Sequence, residues 1–275
     1  MSYSARAYEG VMQSISKFNP AQKTFGKRVH VEFTRGHFTV KTVSSKRQLW
    51  QVMTLRYDVF HKEYMNKRLP YGIDRDRFDL IADHLVIVDN RINKILGTYR
   101  LISSEISDEF YSQTEFNISD LLSKRGTKIE LSRACIRKDY RNGATITLLW
   151  RGIMEYLAAS EASWLFGMGS VKTTDPDQTA SVYKCFVEDG CLDTSLSIAA
   201  NSSYRIHDFS ERLARAQVSP ESREMMPPLL KSYIRAGAVL AGDPAVDLDF
   251  QCTDFFVILE VAKMTQAFHR KYQTQ

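Results

Sequence analysis

The sequence lacks an apolar run long enough to span a bilayer. Among its 275 residues the longest candidate, residues 255–262, has the length of a strand and contains Glu260, whereas a spanning helix needs about 20 apolar residues. The first residues also lack the basic head and apolar centre of a signal peptide. We therefore expect a cytoplasmic protein, with peripheral contact at the inner membrane as an open alternative.

Cysteine and histidine are few and scattered. The four cysteines include no CxxC pair, and the six histidines include no HxxxH or HExxH spacing. Buried thiols in a reducing compartment explain the cysteines. The absent spacings predict neither a metal site nor a tightly bound cofactor.

Positive charge is in small excess, with a net charge of +5. This excess suits an acidic partner, such as nucleic acid, anionic lipid or an acidic carrier protein. Only the net charge supports a nucleic-acid role, so no nucleic-acid partner is expected.

The order of elements along the chain predicts one mixed α/β sheet. Alternating apolar residues indicate strands at 29–42, 85–88, 95–102, 129–136, 164–168 and 255–261, with helical spacing between several of them. Residues 3–18 carry an apolar helical stripe followed by lysines and arginines, which fits a helix packed on its own core or one lying on a membrane. We expect an N-terminal helical extension over 1–28, a core over 29–205 and a C-terminal helix-strand extension over 206–275, packed on the core.

Residues 129–146 combine a strand, a glycine-containing turn and the start of a long amphipathic helix. Such a turn directs backbone N–H groups at one point, and the helix dipole adds positive potential there. Gly143 permits close backbone approach, and Arg141 supplies a fixed charge. The pattern predicts a site for an anionic group such as a phosphate.

This segment resembles the acyl-CoA-binding motif of the Gcn5-related N-acetyltransferases, Arg/Gln-x-x-Gly-x-Gly/Ala. Arg141, Asn142, Gly143, Ala144 and Thr145 occupy its pyrophosphate loop, and the second glycine is absent or replaced by alanine. Coenzyme A needs the complete loop, whereas the phosphopantetheine arm of acyl carrier protein offers a single phosphate. The resemblance therefore implies that acyl-phosphopantetheine of acyl carrier protein is the co-substrate.

Further segments are similar to the ornithine–acyl-carrier-protein N-acyltransferases and related N-acyl amino acid synthases, from about residue 38 to 262. They include Leu55-Arg-Tyr-Asp-Val-Phe60, Arg75-Asp-Arg-Phe-Asp79, Gly97-Thr-Tyr-Arg-Leu101, Glu130-Leu-Ser-Arg133 and Thr174-Asp-Pro176. Part of this set also resembles the acyl-homoserine-lactone synthases. The resemblance implies a Gcn5-related N-acyltransferase fold, a central mixed sheet flanked by helices.

Amide formation from a thioester requires a neutral amine and a polarised carbonyl. We expect Glu130 to act as the base, directly or through water, and the backbone N–H groups of Ala134, Cys135 and Ile136 to polarise the carbonyl. Strand alternation predicts that Arg133 lies on the opposite face from Glu130 and braces the site through Asp79 or Asp83.

The remaining expected roles concern the acceptor and the carrier protein. The acceptor-binding candidates are Arg56, Asp79, Asp83 and Arg100, of which Arg100 would clamp a carboxylate and Asp83 would bind a cationic amine. Lys231 and Arg235 share a helix face and are candidates for contact with the acidic carrier.

The resemblance thus implies transfer of a (3-hydroxy)fatty acyl group from acyl carrier protein to the α-amino group of ornithine, which forms lyso-ornithine lipid, and makes the core over 29–205 an acyltransferase core. Two alternatives stay open: an N-acyl amino acid or acyl-homoserine-lactone synthase with another amine, and a membrane-surface binding protein.

Overall fold

A computed structural model describes residues 29–272, the side chain of Pro70 excepted, so the stripe predicted over residues 3–18 lies outside the described residues. The described chain forms a mixed sheet with helices on both faces. Its strands are β1 Glu32–Arg35, β2 Phe38–Thr42, β3 Asp83–Asp89, β4 Lys94–Ser103, β5 Phe116–Asn117, β6 Thr127–Ile136, β7 Ala162–Val171, β8 Leu192–Asp193, β9 Ala199–Ala200, β10 Val239–Ala241, β11 Ala245–Asp247 and β12 Cys252–Glu260.

The large sheet runs in the order β1-β2-β3-β4-β6-β7-β12-β10-β8, with β11 paired to β12 and β5 paired to β9 in a separate small sheet. β6 and β7 are parallel, as are β10 and β8, and the other pairs are antiparallel. A parallel pair needs a crossover connection, and the long helix predicted after β6 provides it.

The helices follow the sequence signals for their ends. They are α1 Lys46–Arg56, α2 Ser119–Ser123, α3 Gly143–Ala159, α4 Pro176–Glu188, α5 Phe209–Arg215, α6 Pro220–Met225, α7 Pro228–Ala236 and α8 Gln266–Tyr272. Asn142 and Asp175 cap α3 and α4 by accepting hydrogen bonds from first-turn amides. α1 continues directly into a π-helical segment, Tyr57–Tyr64.

Helix α3 packs closely on one face of the sheet. Its apolar stripe includes Trp150 and Ile153, which are buried with strand residues such as Leu85 and Leu131. A Cβ on Gly152 would lie 2.7 Å from Val40 Cγ1, so glycine permits this approach. α1 covers the other face with Val52 and its neighbours.

The parallel strands β6 and β7 separate halfway along their length. Their pairing runs from Thr127–Ala162 to Leu131–Gly167. Beyond it, β6 stays paired to β4 as far as Ile136, and β7 stays paired to β12 as far as Val171. Within the described residues the two strand ends therefore border a wedge-shaped opening, which we call the β6–β7 opening.

The C-terminal residues belong to the sheet itself. β12 pairs with β7 over eight positions, from Thr253–Val171 to Glu260–Trp164. Phe268 packs on Trp150 of α3 with ring centroids 4.6 Å apart. The residues expected to form an extension over 206–275 thus include a strand of the central sheet and pack on α3.

None of the helices within residues 29–272 combines the length and the apolar character required to cross a membrane.

Candidate active site

A β-bulge places Arg133 on the same face of β6 as Glu130. The register between β4 and β6 shifts between the pairs Thr98–Cys135 and Arg100–Ser132, and Arg133 has a φ of 49°. Tyr111 contacts both residues: its amide donates to Glu130 and its hydroxyl bonds with Arg133. The prediction of opposite faces was wrong because an inserted residue reverses strand alternation.

Four of the predicted site residues meet in one network of arginines and aspartates. Arg56 donates to Asp79 at 2.5 Å and to Asp74 at 2.7 Å, and Arg100 donates to Asp76 at 2.6 Å. Arg133 donates to Asp76 at 3.1 Å. Its expected partners were Asp79 or Asp83, so this pairing was wrong: Asp76 lies nearer the end of the Arg133 side chain.

The network has a closed interior and a more open edge. The side chains of Arg56, Asp79 and Arg100 are fully buried, whereas those of Asp76 and Arg133 are 22% and 13% exposed. Burial opposes ionisation of Asp79, but Arg56 and Arg100 outweigh it and hold its pKa below the usual value. The inner residues therefore act as an ionised scaffold, and Arg133 offers the accessible guanidinium.

Asp83 lies apart from this network, on the opposite face of the sheet. Its carboxylate accepts hydrogen bonds from Tyr156 Oη of α3 at 3.0 Å and from Val29 N at 3.2 Å. The adjacent His84 faces the network and contacts Asp79 O at 3.3 Å. Because successive strand residues alternate, the structure does not bring Asp83 together with Arg100 and Arg133.

Glu130 is completely buried and anchors the turn at residues 111–114. Its carboxylate accepts from Tyr111 N at 2.8 Å, from Ser112 N at 2.6 Å and from Ser112 Oγ at 2.5 Å. Burial raises its pKa above the ordinary value, opposed by these hydrogen bonds. Its role as base stays a prediction, and in this structure its carboxylate is engaged by the turn.

The end of β6 presents a backbone donor to the β6–β7 opening. Arg137 N donates to Leu96 O at 2.8 Å, so residues 137 and 96 form a hydrogen-bonded pair. Since such pairs alternate along antiparallel strands, the Cys135 amide faces β4, and the Ile136 amide faces away from β4, toward the opening. The Ile136 amide thus has the orientation expected of an oxyanion donor, whereas the Cys135 amide is used in the pairing with β4.

The first turn of α3 lies beside the same opening. Asn142 Oδ1 accepts from Thr145 N at 3.0 Å, and the amides of Gly143 and Ala144 precede the first intrahelical bond, as helix geometry requires. A Cβ on Gly143 would meet nothing within 4 Å. This end of the helix therefore has free space and partial positive charge for an anionic group.

Arg141 is paired rather than free. Its guanidinium donates to both carboxylate oxygens of Glu63, at 2.5 and 2.7 Å, and its Nε donates to Ile136 O. The same pairing lowers the pKa of Glu63. The positive charge expected of Arg141 is thus neutralised locally, and the helix amides are the available anion donors.

A small apolar cavity of about 20 Å³ lies beneath the point where β6 and β7 separate. Leu131 and Gly167 border it at the last strand pair, and Trp150 and Tyr233 close it from the helices. Tyr233 Oη is 3.1 Å from Tyr99 Oη. The last β6–β7 pair therefore borders apolar side chains of the protein interior.

Lys231 and Arg235 lie on α7, at an accessible part of the surface. Arg235 is exposed and Lys231 half-buried, and Arg235 Nε donates to Lys231 O at 3.2 Å. Tyr233 of the same helix reaches the apolar cavity. The same helix thus carries both the residues predicted to contact the carrier protein and a residue that lines the apolar cavity.

Three residues of the site had no role in the sequence interpretation: Asp74, Asp76 and Tyr111. Asp76 lies within the Arg75–Asp79 segment that carried the family resemblance, so a signal for it was present. Tyr111 lies in a polar stretch without periodicity, and only the fold shows that its ring packs against Arg133 at 4.6 Å.

The chain is similar to known acyltransferases in sequence. Residues 55–151 match the acetyltransferase (GNAT) domain. The L-ornithine N(alpha)-acyltransferase of Agrobacterium fabrum is 29% identical over 252 residues, which cover 86% of this chain and 85% of that protein. The protein of the same name from Rhizobium meliloti is 28% identical, over 92% of this chain and 88% of its own length.

Two solved structures show the same fold. The acyl-homoserine-lactone synthase LasI has a TM-score of 0.50 at 14% identity, covering 88% of this chain and 99% of that one. FeeM, an N-acyl amino acid synthase from uncultured soil microbes, has a TM-score of 0.50 at 7% identity, covering 85% and 98%. The predicted Gcn5-related fold and the resemblance to ornithine N-acyltransferases are confirmed, and the chain is an acyltransferase.

Proposed function

We propose that the enzyme transfers a fatty acyl group from the phosphopantetheine thioester of acyl carrier protein to the α-amino group of ornithine. The carrying observation is the β6–β7 opening, which combines the Ile136 amide, the first turn of α3 and an apolar interior at one place. The acyl-phosphopantetheine donor has its phosphate at one end, its thioester carbonyl in the middle and its acyl chain at the other end, which is the same order of groups.

The phosphate region favours a donor with one phosphate. The usual second glycine of the acyl-CoA motif is absent or replaced by alanine in this chain, and Arg141 is occupied by Glu63. The α3 amides match a single phosphate of phosphopantetheine. A pyrophosphate would require further donors at this loop.

The reaction forms a C–N bond and breaks the thioester C–S bond. The amine must lose a proton before attack, because an α-amino group is largely protonated at neutral pH. The Ile136 amide is oriented to stabilise the negative charge on the carbonyl oxygen as the tetrahedral intermediate forms. The released proton balances the departing thiolate, and Glu130, once freed from its turn, is our candidate base.

Arg133 is our candidate for holding the acceptor carboxylate. The role was first expected of Arg100, whose fully buried guanidinium is already bound to Asp76 and Ser132. Arg133 is partly exposed and reaches the same face as Glu130. A guanidinium suits a carboxylate because it offers two parallel donors.

Ornithine as the acceptor is supported by the names of the curated relatives. The test is expression of the full chain, and separately of Glu130→Gln, in a bacterium that makes no ornithine lipid. We expect lyso-ornithine lipid in extracts of the wild-type strain and a loss of about 100-fold or more with Glu130→Gln, the effect of removing a general base. Acyl-homoserine lactone or another acyl amino acid in its place would contradict the proposed acceptor, and equal amounts from both strains would contradict the role of Glu130.

A further inference from the structure

Three carboxylates from distant parts of the chain meet on the Glu130 face of the sheet. Glu115 follows the turn anchored by Glu130, Asp247 ends β11 and Asp254 lies in β12. They are 2%, 7% and 4% exposed. Asp247, Asp254 and the intervening Cys252 place their polar atoms within 4.8 Å of one another.

These carboxylates have no cationic partner among residues 29–272. Two backbone amides, of Asp249 and Phe250, donate to Asp247 Oδ1 at 2.8 and 3.0 Å. No donor group within the described residues reaches the buried Glu115 Oε2, and the Glu115 and Asp254 carboxyl groups hydrogen-bond to each other through a shared proton. Buried ionised carboxylates are costly unless they are paired, so the cluster lacks one positive group.

The cluster compensates for its burial by retaining a proton. Burial, and then the neighbouring Asp254 and Asp247, raise the pKa of Glu115 to about 9. The pKa of Asp254 is also raised, by burial first. A bound ammonium group would replace this proton and donate to the unpartnered oxygen.

The cluster is reached from the β6–β7 opening. Ser170 is exposed on β7, three residues beyond the last pair with β6, and its hydroxyl donates to Asp254 Oδ1 at 2.5 Å. Burial raises the pKa of the Cys252 thiol, so the thiol stays protonated, which favours an ammonium over a metal ion that binds thiolate.

The cluster also lies next to the residue that we assign to the acceptor carboxylate. Phe250, whose amide donates to Asp247, packs its ring 5.2 Å from the Arg133 guanidinium. Tyr111 contacts Arg133 on the other side. The Phe250 ring thus lies between the Arg133 guanidinium and the carboxylate cluster.

We propose that Glu115, Asp247 and Asp254 bind the distal ammonium group of a diamino acid acceptor. This inference rests on the proposed function and adds the basis of its specificity. An acceptor held by its carboxylate at Arg133 and by its distal ammonium at these three residues presents only its α-amino group to the thioester.

The test compares acceptors that differ only in the distal amine. The purified full-length protein would be assayed with 3-hydroxyacyl carrier protein and either ornithine or norvaline, which has the same chain without that amine. We expect wild type to prefer ornithine in kcat/KM, and Glu115→Gln and Asp254→Asn to reduce that ratio by about tenfold or more, as expected when a buried ionic contact is lost. Glu224→Gln, an exposed glutamate on α6, is the matched control and should keep the ratio.

A second measurement uses only the wild-type protein and therefore does not depend on how well the variants fold. Ornithine should raise its melting temperature more than norvaline does. An unchanged acceptor ratio in folded Glu115→Gln and Asp254→Asn would overturn the inference while leaving ornithine acylation intact. Stabilisation by Mg²⁺ or Ca²⁺ that depends on Glu115, without stabilisation by ornithine, would overturn it in favour of a metal site. Failure of wild type to acylate any amino acid would refute the proposed function itself.

Discussion

Leu131 and Gly167 form the last backbone pair between β6 and β7 before the two strands separate. A Cβ on residue 167 would lie 2.2 Å from the carbonyl oxygen of Leu131. Because that contact is with backbone, it is relieved only by moving a strand. The pair therefore fixes where the opening begins.

Gly167→Ala should disrupt this junction. We expect a loss of about 1–3 kcal/mol in the free energy of unfolding, the usual cost of overpacking, together with reduced acyl transfer because β7 must shift. Urea unfolding measures the first effect. Gly143→Ala is the control for stability, since nothing lies within 4 Å of the added carbon; equal stability of the two variants would contradict the described strand approach.

The buried arginine network should be far more sensitive than a surface ion pair. Arg56→Met removes the buried guanidinium that pairs with both Asp74 and Asp79, which we expect to cost about 3–5 kcal/mol. Lys62, whose side chain is 57% exposed beside the 50% exposed side chain of Asp58, provides the comparison, and Lys62→Met should lower the free energy of unfolding far less than Arg56→Met does. Denaturant unfolding of both variants checks this, and similar losses would mean that the network contributes little.

The Glu115 carboxyl predicts an unusual pH dependence of stability. Its pKa is raised to about 9 in the folded state, so between the unfolded value near 4.5 and 9 the folded protein holds a proton that the unfolded chain releases. The stability is therefore greatest at the acidic end and falls as pH rises, by at most about 1.4 kcal/mol per pH unit from this group.

Unfolding at pH 6.5 and pH 8.5, without acceptor present, measures this dependence. Wild type should lose stability across the interval, and Glu115→Gln should lose less because the amide does not titrate. Glu224→Gln should behave as wild type. Parallel pH profiles for all three proteins would show that Glu115 titrates normally.

Much of the fold follows from the sequence because its strongest signals are local. The Asn142 cap, the apolar stripe of α3 and the proline that begins α4 each mark an element from neighbouring residues, and the structure has all three. The confirmed resemblance then gave the fold family, a mixed sheet flanked by helices, whereas the order of the strands came only from the structure.

The errors and omissions at the site have non-local causes. The face of Arg133 depends on a bulge set by pairing with β4, and strand alternation within β6 carries no sign of it. The cluster of Glu115, Asp247 and Asp254 joins residues more than 130 positions apart in sequence, so only the insertion of β12 beside β7 brings them together.

The central claim is that the acyl group comes from acyl carrier protein and goes to the α-amino group of ornithine. The most direct measurement mixes purified enzyme with 3-hydroxyacyl carrier protein or the matching acyl-CoA, in the presence of ornithine, and follows free thiol release with mass spectrometry of the product. We predict Nα-acylornithine, with kcat/KM for the carrier-protein donor at least about tenfold above that for acyl-CoA, corresponding to roughly 1.4 kcal/mol. Release of thiol only from acyl-CoA, or no acylated amino acid with either donor, would contradict the account.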